Sequence, residues 1–245
     1  MIYTKDGYYW KKDIPVFNIS IPLGKQGLIF INYDILRFYI NSTTIKNYDQ
    51  IKKKCKETIP KKIINDIYFK GATTSLKRSQ IREKLAKENL PININLSKNY
   101  DEDIYYLKNH KYLFDLPGTK PWSVRLKFLF LMSKVIFKIS FYNSKINETS
   151  YWRQYFDYIF IENEDYVHFK YDVDYDNKIN NNLFIKIKND IINKYNEFEK
   201  EKELYETMIK NLEKKKRKIN INSSLKYLFV LIESYTKNII DLNKT

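Results

Sequence analysis

Apolar positions along this chain recur with two spacings, every second residue and every third or fourth, which mark strands and helices respectively. Residues 14–17 (IPVF) and 28–32 (LIFIN) predict short strands, split by the proline- and glycine-bearing loop IPLGKQG. Residues 48–57 predict a helix ended by Pro60. A unit then appears twice. Residues 62–69 (KIINDIYF) predict a strand and Gly71 opens a turn. TTSLKRSQIREKLAKENL predicts a helix capped by Thr74 or Ser75, with Pro91 just past its end. After a connection rich in asparagine, residues 111–115 (KYLFD) predict a strand and PGTKPW a loop. Residues 123–132 predict a helix capped by Ser123, and 135–141 (VIFKISF) the next strand.

A strand–loop–helix–strand unit builds a parallel sheet, with ligands bound beyond the carboxyl ends of its strands. The predicted class is α/β. Residues 151–169 alternate aromatic and acidic residues and predict a helix followed by a strand. Residues 183–217 predict one long charged helix. Residues 221–242 (INSSLKYLFVLIESYTKNIIDL) predict a capped apolar helix that packs back on the body, because its apolar residues occupy more than one face.

Composition adds a folded chain to this picture. The 245 residues are 43% hydrophobic and 16% aromatic, with only 5 Gly and 6 Pro, which excludes fibrous and disordered classes. The 44 Lys+Arg against 29 Asp+Glu leave a net charge of +15, suited to an anionic ligand or surface. Most lysines stand singly among acids and asparagines, as on a solvated face. The densest run, KKKRK at 214–218, closes a charged helix, where cations complement the dipole. Cys55 is the only cysteine, so no internal disulfide forms and a reducing compartment fits. The first residues lack the apolar core of a secretory leader, and nothing approaches the ~18 apolar residues of a membrane span. The expectation is a cytoplasmic protein.

Arg78 and Arg125 each lie near a predicted helix entry after a strand. Backbone N–H groups there favour an anion, and a guanidinium can fork two phosphate oxygens. If both loops share one sheet edge, the two arginines converge on a diphosphate. No P-loop or GxGxxG fingerprint is present. DVDYD at 172–176 resembles an acidic metal-binding triplet, but as a calcium loop it fails: its sixth position is Asn177 and its twelfth Leu183. His110 reads as a loop residue, and neither it nor His168 has zinc-ligand neighbours.

Three blocks in this order resemble the protein O-glucosyltransferase family, glycosyltransferase family 90, which includes capsule xylosyltransferases and KDEL-motif-containing relatives. YFKGATTSLKRSQIREKL resembles the family's F-R-G-x-x-T-S-x-x-R segment. HKYLFDLPGTKPWSVRLKFLFLMSKVIFKI is similar to its K-Y-L…G…S-x-R segment. YWRQYFDYIFIENEDYVHFKYD resembles a W-x-E-F-F-Y…H-Y-x-P-V stretch, the weakest of the three. The chain departs from the pattern at Ala72, at one extra residue in GTKPW, at Gln154, and at Asp165 and His168.

The resemblance implies a GT-B-like enzyme of two Rossmann-like lobes that transfers glucose or xylose from a UDP-sugar to a hydroxyl of a protein or glycan. Transfer would invert the anomeric carbon and need no metal or other cofactor. Arg78 and Arg125 would face the UDP diphosphate. Gly71, Thr74, Ser75, Gly118, Thr119, Trp122 and Ser123 would line the donor pocket. IPVFNIS, from Ile14, resembles a segment that follows the family's catalytic aspartate, whose place falls near Ile2. Asp6 is therefore the candidate base and Asp34, in FINYDILRF, the second. The implied domains are a reduced acceptor-side lobe at 1–61, the nucleotide-sugar domain at 62–182 and C-terminal helices at 183–245. A cytosolic glycosylation system, such as that of a large AT-rich virus, fits the composition, and the short first lobe leaves room for a partner subunit. The alternatives are an inactive UDP-sugar-binding subunit and, from another class, a basic nucleic-acid-binding protein.

Overall fold

The computed structural model describes residues 17–18, 20–22, 28–29, 48–72, 80–97, 104–118, 125–143, 148–149, 152–154, 159–173, 179–218, 220, 222–223, 226–227, 229–230, 232–234 and 236. Three short strands open the chain: β1 (Phe17–Asn18), β2 (Ser20–Pro22) and β3 (Leu28–Ile29). Helix α1 (Tyr48–Glu57) occupies the predicted residues. The main sheet then forms from β4 (Ile64–Gly71), β5 (Ile92–Leu96), β6 (His110–Asp115), β7 (Val135–Asn143) and β10 (Val167–Asp172). These five strands are parallel, in spatial order β10-β7-β6-β4-β5. Two-residue β8 (Glu148–Thr149) adds antiparallel to the end of β7, and β9 (Trp152–Gln154) pairs with β2.

Counted within the main sheet, the order is second, first, third, fourth, fifth. The chain first moves one way from β4 to β5, then reverses and winds the other way from β6. Right-handed crossovers require the connecting helices to change faces at such a reversal, and they do. Helix α2 (Gln80–Ala86), between β4 and β5, packs Ile81 and Leu85 on one face. Helices α3 (Ile104–Asn109) and α4 (Leu126–Leu129), the latter continuing as a 3-10 turn at Phe130–Met132, pack Leu107 and Leu129 on the other. The class is therefore α/β with a Rossmann-like, doubly wound sheet. Its topological switch point lies between β4 and β6.

Strand alternation sorts β7 between two cores. Val135, Phe137, Ile139 and Phe141 face α2 and the long helix α5 (Asn181–Lys200), which contributes Ile187, Ile191 and Phe198. Ile136 faces α3 and α4, together with Cys55 of α1. Helix α6 (Lys202–Lys216) belongs to both cores, Met208 to the first and Leu212 to the second. It crosses the amino end of the sheet, where Tyr205 donates to the Lys111 carbonyl and Lys216 to Ser133 Oγ. Two lysines of the basic run are thereby used inside the fold: Lys215 pairs with the buried Asp165 at 2.5 Å, and Lys216 with Glu213.

Several expectations need correction. The asparagine-rich connection contains β5 and α3. Ile92, Ile94 and Leu96 alternate along β5, and parallel pairing with β4 outweighs the poor strand propensity of the intervening asparagines. The single helix expected at 183–217 is two, broken at Glu201 with φ −106° and ψ 81°. No glycine or proline stands there, and the bend lets α6 leave the sheet face and cross its edge. Asn180 caps α5 by accepting from Leu183 N at 2.8 Å. Residues 152–154 are strand rather than helix. His110 is the buried first residue of β6, not a loop residue. In the C-terminal segment Tyr227 packs on the second core, whereas Phe229, Val230 and Ile232 are exposed, so only part of its apolar surface meets the body. No helix among the described residues is long and apolar enough to cross a membrane.

Phe137 lies at the centre of the first core, fully buried, with ring centroids of Tyr112, Phe169 and Phe198 at 5.6, 6.0 and 6.0 Å. Truncating it leaves a cavity between strands and α5. Phe137→Ala should cost about 3–5 kcal/mol, read as a lower urea midpoint with unchanged slope.

Candidate functional site

The switch point places the loops after β4 and β6 side by side at the carboxyl edge. The structure shows two arginines there, and they exchange loops. Arg82, from α2 after β4, donates Nη1 to the Ala72 carbonyl and Nη2 to the Leu116 carbonyl beyond β6. Arg125, from the connection after β6, reaches back to the end of β4. Both lie against the Phe69 ring, with Cζ at 4.9 Å for Arg82 and 4.5 Å for Arg125. Cation–π attraction holds each guanidinium there.

Two glycines make room for them. A Cβ built on Gly71 would stand 2.9 Å from an Arg125 Nη and 2.8 Å from Phe69, and one on Gly118 would stand 2.9 Å from an Arg82 Nη. Close approach, rather than a turn, explains Gly71, which is the last residue of β4. Arg82 is buried at 6% exposure and bound to two carbonyls, so it acts as a strut between the loops. Arg125 is half-buried and better placed to meet a ligand.

Against the expected site, Arg125, Gly71 and Gly118 come together at this edge. Thr74, Ser75, Arg78, Thr119, Trp122 and Ser123 lie outside the described residues, as do Asp6 and Asp34. Arg125 is not within a helical first turn: it is the residue before α4, with helical angles and no side-chain cap. The α-helix that follows has only four residues, so its dipole adds little and the guanidinium itself supplies the charge. Arg82 escaped the sequence reading, although it stands only four residues after Arg78 in the same expected helix.

A second polar group occupies the carboxyl half of the α3/α4 face, on β7 and β10. His168 donates Nδ1–H to Glu162 Oε2 at 2.8 Å, and its Nε2 lies 2.9 Å from Ser140 Oγ. Lys170 also donates to Glu162, at 2.6 Å. Lys138, opposite His168 in the register, is buried too. Burial, and then the Lys138 charge, pushes the His168 pKa down to about 3. Burial alone would raise Glu162, but hydrogen bonds from Lys170 and His168 outweigh it and hold the carboxyl below its ordinary value. The order Ser–His–Glu is that of an acyl-transfer triad. The chemistry is not, since a base so weakened cannot take the serine proton at neutral pH. Neutral His168 orients the serine instead.

At the opposite edge, His110 Nδ1 lies 2.5 Å from Asp66 and its ring stacks on Tyr68 at 4.0 Å. That pair braces the amino ends of β4 and β6. Among the described residues no group of three or more His, Cys, Asp or Glu side chains is arranged to hold a metal ion. Of the acidic run at 172–176, Asp172 ends β10, and its other aspartates lie outside the described residues. Compared with known proteins, the sequence matches no family model and resembles no curated protein at a significant level.

His168 gives stability a pH dependence of definite sign. Between its ordinary pKa of 6.5 and about 3, the unfolded chain binds the proton that the folded chain refuses. Stability should therefore fall as pH drops below 6.5, by up to about 1.4 kcal/mol per unit. Glu162, held low, adds a loss at more acidic pH. Urea midpoints measured between pH 7.5 and 4.5 should decline steeply for the native chain and less for His168→Gln.

Proposed function

We propose that the chain is an inverting, metal-independent glycosyltransferase of GT-B type that moves glucose or xylose from a UDP-sugar to a hydroxyl of a protein or glycan. The observation that carries the reading is the meeting of Arg82 and Arg125 on Phe69 at the switch point, between Gly71 and Gly118. A diphosphate seated there finds a forked donor in Arg125, while Arg82 keeps the two loops at fixed separation and adds positive charge. As the bond between sugar and UDP breaks, negative charge grows on the departing phosphate oxygen. A preorganised donor at that atom is worth roughly 3–4 kcal/mol, the work a divalent metal does in other transferases.

In a single displacement the acceptor oxygen attacks the anomeric carbon from the face opposite UDP, and a carboxylate takes its proton. Asp6 is the proposed base and Asp34 the alternative, both on the resemblance alone. The nucleic-acid reading loses support because Lys215 and Lys216 of the basic run are engaged with Asp165, Glu213 and Ser133. The inactive-binder reading shares the donor site and differs only in turnover.

Titration with UDP should raise the melting temperature equally with and without EDTA. Arg125→Ala should weaken UDP about 10- to 100-fold, the loss of one charge-assisted contact. Hydrolysis or transfer of UDP-glucose should fall sharply in either Asp6→Asn or Asp34→Asn. UDP binding without turnover under any acceptor condition would leave the inactive binder, and no UDP binding would remove both readings.

A further inference from the structure

Lys134 stands one residue before β7, just past the left-handed turn at Ser133 (φ 57°, ψ 49°). By strand alternation it falls on the side of Ile136, towards α3, and it is only 8% exposed. Among the described residues its side-chain nitrogen makes no hydrogen bond and no ion pair. The carboxylates at this end of the sheet point to other cations. Glu213 of α6 takes donors from Lys216 and Ser133, and Asp165 takes them from Lys215 and the Ile161 amide. The charge that does act on Lys134 is a like one, Lys108 of α3. Lys108 is anchored at the end of α1, donating to the Cys55 carbonyl at 2.5 Å and the Thr58 carbonyl at 2.6 Å. It is itself repelled by Lys216.

A buried cation beside another cation is costly, and an amine escapes that cost by giving up its proton. Burial, and then Lys108, pushes the Lys134 pKa down to about 8. About a fifth of the amine is therefore neutral at pH 7.4, against about one part in a thousand at the ordinary 10.5. Desolvation and a neighbouring cation are the two devices that make a lysine nucleophilic, and both are present here. Access and charge select the electrophile. Met132, Val135 and Ile136 around it are buried, so a small reagent reaches the nitrogen more readily than a large one. An aldehyde or acyl group would only neutralise Lys134. Carbon dioxide is small, uncharged and apolar, and its adduct is an anion that turns the repulsion by Lys108 into attraction. Lys108 has three donors and uses two on carbonyls, which leaves the third N–H for a carbamate oxygen.

We propose that Lys134 is a site of reversible carbamylation by carbon dioxide, with the carbamate paired to Lys108. Nζ attacks the carbon and forms the N–C bond. One C=O electron pair moves onto oxygen, and a proton leaves the nitrogen for solvent; nothing is oxidised or reduced. The adduct ties α3 to the start of β7. No nucleotide takes part, so the site stands or falls apart from the donor crevice at the opposite edge.

The test equilibrates the full native chain with isotopically labelled bicarbonate near neutral pH. A trialkyloxonium salt then traps carbamates as stable esters, and peptide mass spectrometry locates them. Lys202, exposed on α6, is the internal reference. Labelling at Lys134 should exceed that at Lys202 by more than about tenfold, following the neutral fractions of the two amines. Carbon-13 NMR of the same sample should show a carbamate carbonyl signal that Lys134→Arg lacks. No ester at Lys134, labelling that follows exposure along the chain, or an unchanged signal in Lys134→Arg overturns the proposal. The peptide map of the native chain decides the matter even if the variant fails to fold.

Discussion

Arg82 bridges two loops far apart in the sequence, with one guanidinium shared between the Ala72 and Leu116 carbonyls. The rest of the carboxyl edge depends on that bridge. Neighbouring strands at a winding reversal send their chains away to opposite faces, so the crevice between them has no helix to close it. A buried cation that hydrogen-bonds both departing backbones sets the width of the crevice and its sign of charge together. Arg125 completes the exchange from the other side, and Phe69 gives both guanidiniums a surface to rest on.

The two ends of the sheet are built for different purposes. The amino end is sealed. Helix α6 ties both cores together there, its lysines neutralise Asp165 and Glu213, and Glu199 gathers donors from Lys111, Tyr112 and Asn65. For Glu199 the burial that would raise its pKa is outweighed by those hydrogen bonds, which hold it ionised. The carboxyl end carries polar groups that the described helices do not cover apolarly: Asp115, Lys138, Ser140 and His168 are all buried. Desolvating such groups is costly unless each has a partner, and His168, bonded to both Ser140 and Glu162, shows how two of them are satisfied in series.

Much of this frame was legible in the residues. KYLFD and VIFKISF are β-branched and aromatic runs whose burial in a parallel sheet follows from composition, and the strand–loop–helix order gave the parallel arrangement. The polar members of VIFKISF, Lys138 and Ser140, fall on one face by alternation, a signal that was present and unread. ININL hid its alternation behind asparagines. The break at Glu201 has no local cause, since it answers to where α6 must go. Arg82 was unreadable as a strut because its partners are backbone carbonyls, which carry no side-chain signature. Arg125 was expected at this edge; the partner expected for it, Arg78, lies outside the described residues, and Arg82, which meets it on Phe69, was not expected.

One pyrophosphate is proposed to bind at the reversal between β4 and β6. A crystal structure with UDP tests it most directly. It should show the diphosphate between Gly71 and Gly118, its oxygens within hydrogen-bond reach of the Arg125 guanidinium, with Arg82 still on both carbonyls. Nucleotide bound at the amino end of the sheet, or a crevice left vacant at saturating UDP, would contradict it.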